Sequence, residues 1–134
     1  MKIQEKEFVQ IGELSKSLGV TTRTIRYYEE ISLLNPPKRL NGGVRVYSAE
    51  DVTRLKFILR LKDLGISLKE MQELAEIYDI KSEDDQFLNI MPRLLEILDT
   101  HIETIDKKIN RLTSLRAEIT QFRGRAVEAA KERM

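Results

Sequence analysis

Apolar residues recur along this chain at helical spacing, in bursts separated by glycine, proline or short polar turns. After a polar start, Ile11, Leu14 and Leu18 predict a short helix that Gly19-Val20 breaks. A second helix is predicted from about Thr22, with Thr21 as its cap and Ile25, Tyr28 and Ile31 facing inward. Two short helices around a glycine-containing corner make a helix-turn-helix. Asn35-Pro36-Pro37 then stops the helix. Around the turn Asn41-Gly42-Gly43, the flanks Arg39-Leu40 and Val44-Arg45-Val46-Tyr47 alternate as a two-stranded hairpin does, leaning on the core through Leu40, Val44 or Val46 and projecting Lys38, Arg39 and Arg45 from its other face.

Ser48-Ala49-Glu50-Asp51 reads as a capping-box start for a helix with Val52, Leu55, Ile58, Leu59 and Leu61 or Lys62 around its apolar stripe. Gly65 ends that helix, and Ser67 with Glu70 caps a further one carrying Leu68, Met71, Leu74 and Ile77. Residues 49–78 thus form a second helix pair. Residues 79–91 are a linker or the start of a long helix: Pro92 suits a helix's first turn, whereas an earlier start at Ser82 makes it a kink.

From Met91 the apolar positions are Met91, Leu95, Leu98, Ile102, Ile105, Ile109 and Leu112, alternating four and three residues apart, which is a coiled-coil seam. Arg116 falls where the next seam residue belongs, and the stripe resumes through Leu115, Ile119 and Phe122. A helix over 92–122 is roughly 46 Å long at 1.5 Å per residue. Its seam predicts a dimer interface with a second copy of the chain. Residues 123–134 form a tail that extends the helix weakly.

The sequence of 134 residues is 41% hydrophobic and 34% charged, which bounds it to one small folded head with an appended element and excludes wholesale disorder. No apolar run approaches the roughly 20 residues that cross a bilayer, so the expectation is a soluble cytoplasmic protein with no membrane partner. There is no cysteine and only one histidine, His101, so no disulfide, thiolate or soft-metal site is expected, and no metal or cofactor. The acidic cluster Glu83-Asp84-Asp85 lacks calcium-loop spacing. Neither a nucleophile with a paired acid and base nor a phosphate-binding loop is present, which argues against an enzyme.

A net charge of +1 conceals an uneven distribution. Residues 1–70 carry 13 Lys or Arg against 9 Asp or Glu, and the excess lies in 23–62, where Arg23, Arg26, Lys38, Arg39, Arg45, Arg54, Lys56, Arg60 and Lys62 face only Glu29, Glu30, Glu50 and Asp51. Such a localised basic surface suits phosphates. The second helix offers Thr22, Arg23, Arg26, Tyr27 and Glu30 outward, as a recognition helix does, and the hairpin beside it forms a wing that grips phosphate. Two other classes compete with this reading: a coiled-coil adaptor using its head for protein contacts, and an architectural DNA binder with little sequence preference.

The run Ile11-Gly12-Glu13-Leu14, Gly19-Val20-Thr21-Thr22-Arg23-Thr24-Ile25-Arg26-Tyr27-Tyr28-Glu29, Leu33-Leu34, Arg45-Val46-Tyr47 and Leu64-Gly65-Ile66-Ser67-Leu68 resembles the signature of the MerR family of bacterial transcription regulators. The match extends over residues 8–78. The fold class it implies is mainly α: a winged helix-turn-helix DNA-binding head, a second helix pair, and a long C-terminal antiparallel coiled-coil dimerisation helix. The resemblance implies a nucleoid-associated homodimer on a pseudo-palindromic promoter, acting by distorting an over-long spacer for RNA polymerase or by occlusion. By motif match, Arg26 and Tyr27 hold phosphates, Thr22 and Arg23 lie at the groove, Tyr28 supports the helix or a backbone contact, Arg45 anchors the wing, and Arg60 reaches phosphate near the distorted centre. Without cysteines or an appended ligand domain, the chain looks most like short members linked to amino-acid or fatty-acid catabolism. An effector, a small organic or acyl-thioester metabolite, is expected around Tyr78 and Phe87.

Overall fold

The computed structural model describes residues 8–40, 42–79 and 85–134. Asn41 of the turn, residues 80–84 of the expected linker and its alternative helix start at Ser82 lie outside them. The element order is β1 (Phe8–Gln10), α1 (Ile11–Leu18), α2 (Thr22–Glu30), β2 (Lys38–Leu40), β3 (Val44–Ser48), α3 (Ala49–Asp63), α4 (Leu68–Asp79) and α5 (Gln86–Glu132). The fold is mainly helical, and the chain divides after Arg93 into two units.

In the first unit, local chemistry accounts for each boundary. Gly19 closes α1 with φ of 67°, a left-handed conformation that glycine adopts without a Cβ clash, and the Ser15 hydroxyl donates to the Val20 carbonyl across the same corner. The Thr21 side chain caps α2 by accepting from the Thr24 N–H at 3.1 Å. Ser48 and Asp51 form the reciprocal capping box of α3 at 3.0 and 3.1 Å, and Ser67 with Glu70 repeats it before α4 at the same distances. All four residues are the ones the sequence pattern marks.

The wing differs from a two-stranded hairpin. β3 is the centre of a three-stranded antiparallel sheet of order β1-β3-β2, with Val9 opposite Tyr47 and Arg39 opposite Arg45. The strand ahead of α1 gives β3 a partner on both edges, which relieves the marginal stability of an isolated hairpin. Leu40 and Val44, offered by the sequence as anchors, are 42% and 40% exposed, because they stand near the turn and beyond reach of the helices. Val46, the third residue the sequence offered, is the buried anchor, joined by Tyr47 and by Val9 beside it. Strand alternation therefore places Arg39 and Arg45 on the face of Val9 and Tyr47, while Lys38 lies on the opposite face with its ammonium 5.5 Å from the Phe8 ring centroid.

The core of this unit joins Leu14, Ile25, Tyr28, Leu33, Leu34, Val52, Leu55, Ile58, Leu61, Ile66, Met71 and Leu74. Ile90 on the first turns of α5 is also buried, and Arg93 donates from Nε to Glu73 of α4 at 2.7 Å. That guanidinium holds the Glu73 carboxyl below its ordinary range.

α5 begins at Gln86, capped by the Asp85 carboxylate accepting from the Phe87 N–H, and continues to Glu132, beyond both limits of the expected 92–122 helix. At 47 residues it is about 70 Å long by its 1.5 Å rise. Pro92 therefore sits inside the helix, where it removes one i to i−4 hydrogen bond. The buried stripe of its first turns is Ile90, Leu94 and Ile97, one position before the seam residues Met91, Leu95 and Leu98. In the second unit, Leu95, Ile102, Ile105, Ile109, Leu112, Leu115, Ile119 and Phe122 are each between 46% and 67% exposed.

Leu55 is fully buried at the centre of the head. Leu55→Ala should lower the unfolding free energy by about 2–5 kcal/mol, measured by urea denaturation with circular dichroism.

Candidate nucleic-acid interface

The inward residues of α2, Ile25 and Tyr28, are 0% and 4% exposed. Helical geometry then sends Arg23, Arg26, Tyr27 and Glu30 to the opposite side, and all four are exposed. Thr22 stands half-buried at the first helical position, where unpaired N–H groups and the helix dipole favour an anion. The outward stripe thus presents two guanidiniums and a phenol from one rigid element. Tyr28 packs beneath it, with its ring centroid 6.2 Å from that of Tyr27. Its backbone carbonyl accepts the N–H groups of Leu33 and Leu34, which wraps the chain back after α2.

The wing is tied to this helix by Glu29, whose side chain is only 9% exposed. Its carboxylate accepts from Arg45 Nη1 at 3.0 Å and from the Tyr47 phenol. Burial, reinforced by the hydrogen bond and negative charge of Glu29, pushes the Tyr47 phenol well above the ordinary tyrosine range, so it stays a proton donor. Arg45, on the wing's central strand, remains about one-third exposed. Arg39, directly across the strand pair from it, donates to the Gly43 carbonyl at 3.1 Å, which steers two like charges apart. Lys38 and, on the last turn of α3, Arg60 are exposed.

Two residues carry structural duties that charge counting does not reveal. Glu29 reads in the sequence as an opposing acid, yet it is the joint between helix and wing; its position four residues after buried Ile25, on the same helix face, is the signal. Arg54 reads as part of the basic surface, but its side chain is only 11% exposed. Its Nε donates to the Leu33 carbonyl at 2.7 Å, its two terminal nitrogens grip Asp79 at 2.6 and 3.1 Å, and its guanidinium lies 5.2 Å from the Tyr78 ring centroid. Tyr78 and Phe87 both line one cavity of the head, with Phe57 edge-on to Phe87 at 5.8 Å between centroids.

A helix-turn-helix whose second helix exposes arginines beside a basic β-wing defines a winged-helix nucleic-acid-binding protein. Residues 9–76 match the MerR HTH family regulatory proteins and residues 52–122 the family described as MerR, DNA binding. The chain is 35% identical over 126 residues to the HTH-type transcriptional regulator ZntR homolog of Haemophilus influenzae, covering 94% of this chain and 89% of that protein. It is 33% identical to the HTH-type transcriptional regulator YfmP of Bacillus subtilis, covering 92% and 96%. Among solved structures it is similar to the transcription regulator PbrR691 of Ralstonia metallidurans in complex with lead(II), at 29% identity and a TM-score of 0.66, covering 86% and 85%. The chain belongs to the MerR family, and is a DNA-binding transcriptional regulator rather than an enzyme. No helix among the described residues is long and apolar enough to cross a membrane.

Tyr47→Phe removes a phenol donor from a charged, buried acceptor and should cost about 1.5–3 kcal/mol of stability, read from the urea midpoint. The raised phenol pKa makes this contribution complete below the unfolded value of 10.0, and lost only as pH climbs through the folded one. Alkaline difference spectroscopy, with Tyr47→Phe as the reference, should accordingly show the Tyr47 phenol ionising only as the fold is lost.

Proposed function

We propose that residues 8–78 are the DNA-reading head of a homodimer that binds a pseudo-palindromic promoter operator. The observation that supports this most directly is the exposed Arg23, Arg26 and Tyr27 stripe, held at a fixed angle to the Arg45-bearing wing through Glu29. Arg26, Tyr27, Lys38, Arg39, Arg45 and Arg60 hold phosphates and set the register; Thr22 and Arg23, at the N-terminal turn of α2, face base edges. Tyr28, being buried, acts by supporting α2.

The second copy pairs antiparallel along Met91, Leu95, Leu98, Ile102, Ile105, Ile109 and Leu112 over the 92–122 stretch. A stripe of exposed aliphatic side chains on a helix of 47 residues supports this pairing. Two heads joined this way reach successive major grooves on one side of the duplex, about 34 Å apart. Transcription is then controlled by realigning an over-long promoter spacer for RNA polymerase, or by occlusion where the spacer is ordinary.

The names of some relatives mention heavy metals or mercuric resistance, and the PbrR691 structure is a complex with lead(II). This chain has no cysteine and one histidine, so it lacks the thiolates that soft metals select. A small organic molecule fits better, at the cavity that Tyr78 and Phe87 line. An acyl-thioester with a polyanionic carrier is disfavoured there, because Arg54 is already committed to Asp79.

Selection of binding sites from random duplexes, followed by footprinting, tests the reading; it predicts two inverted half-sites within one protected promoter region, and recovery of no shared sequence would sink it. With the selected operator, Arg23→Ala should lose about 1–3 kcal/mol of discrimination against a mutated half-site, whereas Arg26→Ala should weaken matched and unrelated duplexes together. Replacing both Ile102 and Ile105 by Asp puts unpaired charges into the seam. Sedimentation should then show monomer, with far-UV dichroism reporting whether the head remains folded.

A further inference from the structure

Within the head lies a cavity of about 280 Å³, walled by Phe57 and Leu61 of α3, Met71, Ala75 and Tyr78 of α4, and Phe87 of α5. Its volume sits at the small end of ligand sites, enough for a compact molecule of one or two rings and too little for a drug-sized one. Phe87 remains 46% exposed, so one aromatic wall stays open at the lip. An apolar cavity of this kind is poorly solvated by water and accepts apolar guests.

The polar groups on its margin decide what else a guest carries. Arg54 spends donors from all three guanidinium nitrogens on the Leu33 carbonyl and the Asp79 carboxylate, and its charge is balanced there. The Thr53 hydroxyl donates to the Ala49 carbonyl at 3.1 Å. Among the described residues, the remaining charged group is Glu50, an exposed carboxylate on the first turn of α3. An anion entering the cavity meets that carboxylate and finds Arg54 already neutralised, whereas an N–H or O–H donor at the margin finds an acceptor.

We infer that this cavity binds a compact, uncharged aromatic or branched aliphatic molecule carrying at most one hydrogen-bond donor, and that α2 reads its occupancy through Leu33 and Arg54. The route is short and physical. Leu33 forms part of the cavity wall, its N–H bonds the Tyr28 carbonyl of α2 at 2.9 Å, and its carbonyl is pinned by Arg54, whose guanidinium stacks on the Tyr78 ring of the same wall. A guest that displaces Tyr78 or Leu33 by even a fraction of an ångström perturbs the anchor of the recognition helix. Only this second half, the coupling, rests on the DNA-binding role proposed above.

The chain has no tryptophan, so indole serves as a probe whose fluorescence is seen against tyrosine alone. Titrating the full chain with indole in the absence of DNA should give saturable binding of one probe per chain, displaced by toluene. Indole-3-acetate, its anionic relative, should bind at least tenfold more weakly. Ala75→Phe fills the cavity and should weaken indole at least tenfold; Ala75→Leu is the gentler plug should the larger ring disturb folding. No saturable binding, equal binding of the anion, or binding indifferent to both plugs would overturn the site. Saturating indole should change operator affinity of the unplugged chain at least threefold and that of the plugged chain not at all. Binding without that change would overturn the coupling, and because the first titration contains no DNA, its outcome is independent of whether the head reads an operator.

Discussion

A carboxylate removed from water is costly unless its charge and its lone pairs are both met, and the head of this regulator is organised around one such group, Glu29. Arg45 supplies the charge and Tyr47 the second donor, both from β3, while Glu29 itself belongs to α2. Removing either partner leaves a nearly buried anion under-compensated, so the joint is worth more as a constraint than as a net gain in stability. Its effect is geometric. The helix that exposes Arg23 and Arg26 and the central strand of the wing, which carries Arg45, move as one piece.

The same C-terminal end of α2 is fixed a second time by the opposite device, a cation turned inward. Arg54 holds the Leu33 carbonyl just after the helix and passes its charge to Asp79 at the end of α4. Two arginines of the basic 23–62 segment are thus engaged with carboxylates of the head. The exposed cations that remain in that segment are Arg23, Arg26, Lys38, Arg39, Lys56, Arg60 and Lys62, drawn from α2, the wing and α3. A docking surface whose charges come from three elements needs those elements rigidly related, which the two joints provide.

Much of this architecture is legible in the sequence because its signals are local. A cap needs only a Ser or Thr and a carboxylate three residues on, so the boxes at Ser48-Asp51 and Ser67-Glu70 can be placed without knowing the tertiary fold. The apolar stripe of α5 is equally local. β1 is not, since three residues of Phe-Val-Gln have too little period to register as a strand and acquire their meaning from pairing with β3. Nor can a sequence show that Arg54 points inward when its lysine and arginine neighbours point outward, because its partners stand 21 and 25 residues away. The start of α5 shows a further limit: Ile90, Leu94, Ile97 and Met91, Leu95, Leu98 have the same spacing one residue apart, and periodicity alone does not say which stripe is buried.

The central claim is that phosphate contact by cations of α2, the wing and α3 drives binding, and the salt dependence of operator affinity measures it most directly. Each neutralised phosphate contributes about −0.9 to the slope of log K against log salt. The account predicts a steep slope, several contacts per head, that becomes shallower by about two when Arg26→Ala removes one contact from each head of the dimer. A slope near zero, or one that Arg26→Ala leaves unchanged, would contradict it.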